Sequence, residues 1–133
     1  MRTITDHIVQ GDSVNHQLAI TVLDEPGQGG ACHVYALDTA AGLRSSNSAD
    51  KSYGEGSGVV KFQNGPIKEF GVNGVTQEAL IAIVIDRLRS FQTGPFACRD
   101  NAVALTHFEE GLMWLQRRTL NRIKRGVEGT NQK

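Results

Sequence analysis

The chain has 133 residues, 39% of them hydrophobic and 6% aromatic, enough for one compact unit but a lean stock for its core. Its two cysteines, Cys32 and Cys98, exclude a disulfide framework, and no CxxC or Cys/His ligand spacing supports structural zinc. No segment approaches the ~20 apolar residues that a membrane span requires, and the first residues lack the apolar core of a signal peptide. These features lead to the expectation of a cytoplasmic protein with free thiols.

Net charge is zero, but it is unevenly placed. Residues 1–80 hold five Lys/Arg against nine Asp/Glu, and residues 81–133 hold nine against five. An anionic partner is therefore expected on the C-terminal part. The lean core also predicts that apolar surface is buried between copies of the chain.

In chain order, residues 1–15 are polar and carry no clear element. QLAITVL at 17–23 is rich in β-branched residues and reads as a strand. DEPGQGG at 24–30 is a loop, and ACHVYAL at 31–37 is a second strand that pairs with the first. The loop lacks the lysine and helix start of a phosphate-cradling P-loop. Residues 38–58 are rich in Ser, Gly and Asn and read as a surface connector, or as a lid over a ligand. VVKFQ, Asn64-Gly65 and PIKEF over 59–70 read as a second β-hairpin, with Pro66 opening an edge strand.

From Gly74 the periodicity changes. Thr76 is a candidate N-cap with Glu78 in the first turn. Apolar residues at 80, 81, 84, 88 and 91 give helical spacing, with Ile83 and Ile85 off that stripe. Gly94-Pro95 stops this helix. A second helix spans roughly 97–124, with a stripe of Asn101, Leu105, Phe108, Leu112, Leu115 and Thr119. Met113 and Trp114 lie off the stripe, as interface residues do. Gly126 ends the helix, and the last residues are expected to be disordered. The expected fold class is α+β: an N-terminal antiparallel sheet over 1–71, then a C-terminal helical hairpin over 72–133, in one compact unit.

No catalytic constellation appears. There is no nucleophile elbow and no HExxH, and Glu109 and Glu110 are adjacent, so they point about 100° apart on a helix. The stronger signal is for binding an anionic, nucleotide-like molecule. Phe91 at the hairpin turn can stack on a base, and Asn101 can donate and accept. Arg99, Arg117, Arg118 and Arg122 offer forked donors to phosphates. On composition alone the plainer reading stays open: Phe91 is core, and the arginines are a solvated face favouring the helix C-terminus. Geometry adds a constraint. Asn101 and Arg118 are seventeen residues apart on one helix, roughly 25 Å and about 100° in azimuth. One small ligand reaches both only if it lies between two chains packed antiparallel.

Several stretches also form a pattern: MRTITDHIVQGD at 1–12, FQNGPIKE at 62–69, GVNGV at 71–75, AIVIDRL at 82–88, GPFACR at 94–99, LMWLQRRT at 112–119 and RGVEGT at 125–130. Together they resemble the Thoeris anti-defence sponge proteins of phages, whose C-terminal hairpin is shared with anti-CBASS sponges. The resemblance covers nearly the whole chain except residues 40–58, and is strongest over 62–130. It implies a non-enzymatic protein without cofactor or metal, acting in the cytoplasm of the infected bacterium. Such a protein binds cyclic ADP-ribose isomers made by TIR-domain enzymes and keeps them from their effector. The resemblance places the ligand between protomers, at positions corresponding here to Phe91, Asn101 and Arg118. It further implies a homo-oligomer, a dimer or a hexamer built as a trimer of dimers, with no nucleic-acid or membrane partner. Cyclic di- or trinucleotides are the alternative ligands, or additional ones at a second site, for which Thr106 and Arg99 are the candidates. An enzyme that hydrolyses the signal, or a basic module for nucleic acid or a host protein, are the readings from other classes.

Overall fold

The computed structural model describes residues 1–39 and 57–132. The connector or lid expected at 38–58 falls, apart from its ends, outside them. The chain divides into two compact units, Met1–Asn64 and Gly65–Lys133.

The first unit is a four-stranded antiparallel sheet in the order β1 (Arg2–Ile4), β2 (Leu18–Val22), β3 (Val34–Thr39), β4 (Gly58–Lys61). Alternation along β2 puts Leu18, Ile20 and Val22 on one face. The register sets Val22 opposite Arg2 and Tyr35, and Ile20 opposite Ile4 and Leu37. Val22, at the middle of these pairs, is 1% exposed. Tyr35 on β3 meets Phe62, just past β4, edge to face at 5.5 Å, a diagonal cross-strand contact.

The sheet departs from expectation at both ends of its hairpins. β1 lies in the stretch that showed no clear element. Three residues are too few to reveal a period, and the strand exists because β2 offers it a ladder. β3 begins at Val34 and not at Ala31, because the Asp24 carboxylate accepts the N–H groups of His33 and Val34 at 2.7 and 3.0 Å. Desolvation pushes the Asp24 carboxyl up, but those N–H donors and the nearby His33 ring outweigh it and hold it below the ordinary carboxylate range.

The second β-hairpin does not form. β4 pairs back onto β3, and Ile67–Phe70 is a single helical turn, α1. Pro66, extended at φ −67° and ψ 136°, is the N-cap residue of this turn and cannot donate to a ladder. Gly65, at φ +82°, makes the bend, and a Cβ there would lie 2.5 Å from the Phe70 ring. The turn signal at Asn64-Gly65 is thus real but leads into a helix.

The second unit continues as two paired helices, α2 (Gln77–Gln92) and α3 (Arg99–Lys124). Thr76 caps α2 as expected, its hydroxyl accepting the Ala79 N–H at 3.2 Å. The buried face of α2 is centred on Ile85, 3% exposed, with Ile81 and Leu88 beside it. The expected stripe ran through Val84 instead, which is 38% exposed. A run that is apolar on several faces leaves the choice of inner face to its packing partner. On α3, Leu105, Leu112, Leu115 and Thr119 are half-buried, as the stripe predicts, while Phe108 is 40% exposed.

The expectation of a disordered C-terminus is corrected. Gly126, at φ +69°, closes α3 in a Schellman motif: its N–H donates to Ile123 O, and the Val127 N–H to Arg122 O. The Arg122 guanidinium then donates to the Glu128 carboxylate and to the carbonyls of Val127, Thr130 and Gln132, at 2.7 to 3.1 Å. The tail to residue 132 is thus fastened by the Arg122 side chain, together with the Thr130 hydroxyl and a Lys68 N–H donated to the Gly129 carbonyl.

Candidate ligand-binding faces of the hairpin

One end of the hairpin is built by a short, heavily braced turn. Gln92 at the end of α2 both donates to the Cys98 carbonyl and accepts the Cys98 N–H, each at 3.2 Å. The Cys98 thiol caps α3 by accepting the Asn101 N–H at 3.4 Å. This fixes the last turn of α2 against the first turn of α3, so Phe91 and Asn101, both half-buried, sit at the same end of the hairpin. Phe91 meets Phe96 edge to face at 6.4 Å, and the Arg87 guanidinium lies over its ring, 4.9 Å from the centroid. Phe96 is 73% exposed. Sequence reasoning missed Arg87, four residues before Phe91 and therefore on the same face.

Arg118 is at the other end. α3 runs unbroken through 26 residues, so the separation of roughly 25 Å from Asn101 holds along its axis. The structure therefore brings Phe91 and Asn101 to one end of the hairpin and leaves Arg118 apart from both. Arg99 opens α3 and is exposed; Thr106 is exposed, with its hydroxyl turned back to the Ala102 carbonyl at 3.1 Å. Arg122, read from sequence as a phosphate donor, is committed to the tail, and its side chain is 13% exposed.

Around Arg118 the surface of α3 is concave. Trp114, Arg117, Arg118, Asn121 and Arg125 line a shallow hollow of about 570 Å³. Their spacing of three, one, three and four residues puts all five on one helix face. The Arg117 guanidinium lies 5.0 Å from the Trp114 ring centroid. Among the described residues no carboxylate lines the hollow, and the nearby Glu109, Glu110 and Glu128 lie against Arg89, His107 and Arg122. That spacing was available in the sequence, but the search for a single apolar stripe passed over it.

The sheet unit has its own hollow of about 540 Å³, whose lining mixes Arg2 with Asp24 and Glu25. It offers no excess of either charge sign. Among the described residues, no group of three or more His, Cys, Asp or Glu side chains converges, and no helix is long and apolar enough to cross a membrane.

Comparison with known proteins bears on the same region. The family model described as the Acb2/Tad1 hairpin domain matches residues 57–120. A protein named Thoeris anti-defense 1, from Bacillus phage SBSphiJ7, is 57% identical over 75 residues, covering 56% of this chain and 53% of that protein. The match thus spans about half the length of that relative. Residues 57–120 thus match the Acb2/Tad1 hairpin domain, and over about half its length the chain is similar to a phage protein named for Thoeris anti-defence.

Proposed function

We propose that this protein is a phage anti-defence sponge. It binds a cyclic ADP-ribose-type signal made by bacterial TIR-domain enzymes, does not cleave it, and so keeps it from the defence effector in the host cytoplasm. The observation that carries this reading is the division of the hairpin into two half-sites. Phe91 and Asn101 stand at one end, and Arg118 stands roughly 25 Å away on a continuous helix. Two hairpins packed antiparallel in a homo-oligomer would bring each aromatic–amide end to a partner's arginine end and create two equivalent sites. Phe91 supplies stacking for the base, worth about 1–3 kcal/mol in other nucleotide sites. Asn101 reads the polar edge of the base, and Arg118 takes phosphate. Exposed Ile83, Met113, Trp114 and Leu120 supply apolar area for such pairing.

The test is direct. The protein is incubated with the TIR-derived signal, freed of unbound ligand and heat-denatured, and the released material is analysed by mass. Intact signal is expected. A ring-opened product would make the protein a hydrolase, and no retention would remove the sponge reading for this ligand. A monomer at micromolar concentration in light scattering would contradict the shared site.

A second reading is favoured by the hairpin family itself, whose description joins two protein names, Acb2 and Tad1. Cyclic di- or trinucleotides would be the ligands, alone or at a second site that forms as dimers assemble into a hexamer, with Arg99 and Thr106 as contacts. The same retention assay run with cyclic trinucleotides, on the wild type and on Arg99→Ala, separates the two readings.

A further inference from the structure

We infer that the α3 face formed by Trp114, Arg117, Asn121 and Arg125 holds the diphosphate of the ligand together with Arg118, with Trp114 as a second stacking surface; this rests on the sponge reading. A diphosphate presents two phosphoryl groups, and one guanidinium covers only one of them in a forked, two-point fashion. The hollow around Arg118 supplies a second guanidinium, that of Arg117, on the same helix face, and among the described residues no carboxylate lines it. Of the neighbouring carboxylates, Glu110 lies beside His107 at 3.6 Å, Glu109 is turned to Arg89 at 2.9 Å and Glu128 to Arg122 at 3.1 Å. Arg117 lies against an aromatic ring, and among the described residues it forms no ion pair. Moving it toward phosphate therefore breaks no ion pair, and uncovers the face of an indole that is 66% exposed. Asn121 stands three residues after Arg118 and four after Arg117, on the same helix face. Aromatic ring, amide and clustered guanidiniums thus occur together on one face of about three turns of helix.

Trp114 is the sole tryptophan of the chain, so its fluorescence reports on this hollow directly. Titration with the TIR-derived signal is expected to change that fluorescence. Arg117→Gln and Arg125→Gln are each expected to weaken binding about tenfold, the scale of one exposed charge-assisted contact. Lys124→Gln removes the same charge from the same helix end but lies outside the hollow, and less than about a twofold effect is expected. If Arg117→Gln and Lys124→Gln lower affinity equally, the effect is general charge and the inference fails. If the wild type retains the signal while Trp114 fluorescence and the affinity of Arg117→Gln do not move, the inference fails and the sponge reading stands. If the wild type retains no signal, both fall.

Discussion

The two units of this protein are held together by different means. The sheet over Met1–Asn64 is fixed mainly by backbone ladders in a set register, braced at its β2–β3 loop by the Asp24 carboxylate. The hairpin in Gly65–Lys133 has no ladder between its helices. It relies on a thin packed seam around Ile85, on the Arg89–Glu109 pair, and on side-chain clasps at its turn and tail. A pair of helices joined by so narrow a seam leaves most of its circumference outward. The lesson is that the economy of the seam makes the binding faces: α3 spends one side on α2 and presents Trp114, Arg117 and Arg118 on another.

This contrast can be broken or sharpened, starting where the effect is largest. Ile85→Ala removes the most buried side chain of the seam. It should cost about 2–5 kcal/mol, read as a fall in the midpoint of helical signal at 222 nm under denaturant. A loss well under 1 kcal/mol would mean that the seam does not depend on Ile85. Next, Arg122→Gln deprives the tail carbonyls of Val127, Thr130 and Gln132 of their donor. About 1.5–3 kcal/mol should be lost, with faster amide exchange confined to the end of α3 and the tail. Unchanged exchange there would show that the Schellman motif suffices.

Substitutions on the binding faces should move affinity and spare the fold. Phe91→Ala, Asn101→Ala and Arg118→Ala are each expected to weaken retention of the signal about tenfold, near 1.4 kcal/mol, with little change in melting temperature. A steep fall in melting temperature for Phe91→Ala at unchanged affinity would return Phe91 to the seam. The smallest effect concerns the sheet. Asp24 has a lowered folded-state pKa, so its contribution is present above the unfolded carboxylate value of about 3.9 and is lost as pH falls through the folded value. The wild type should therefore lose part of its melting temperature between pH 5 and pH 3. Asp24→Asn should start lower and lose less over the same range, and parallel curves would exclude Asp24 as the acid-sensitive brace.

Much of this was open to reading in the chain itself. Local chemistry announced its elements wherever one residue sets one backbone feature. Thr76 before an apolar run gave the α2 cap, Gly94-Pro95 gave the stop, Gly126 gave the end of α3, and β-branched residues at 18–22 gave a strand. The spacing of Asn101 and Arg118 on one helix gave the half-site argument, because helical rise is fixed by the backbone. The order of motifs also gave the resemblance that the matches to the Acb2/Tad1 hairpin domain and to Thoeris anti-defense 1 support.

Tertiary structure decided what depends on a partner. β4 is an edge strand with one side unpaired in the sheet, yet Ile67–Phe70 forms a helical turn and adds no fifth strand, a choice that no local apolar pattern records. Which face of α2 turned inward was settled by α3, since an apolar run with several possible faces fits more than one packing. Arg122 and Arg118 are the same residue type four positions apart. Only the fold of the tail committed one to internal carbonyls and left the other on an open, cationic face. Composition shows that arginines are present, but what each one donates to is fixed by the acceptors that the folded chain brings within 3 Å or so of it.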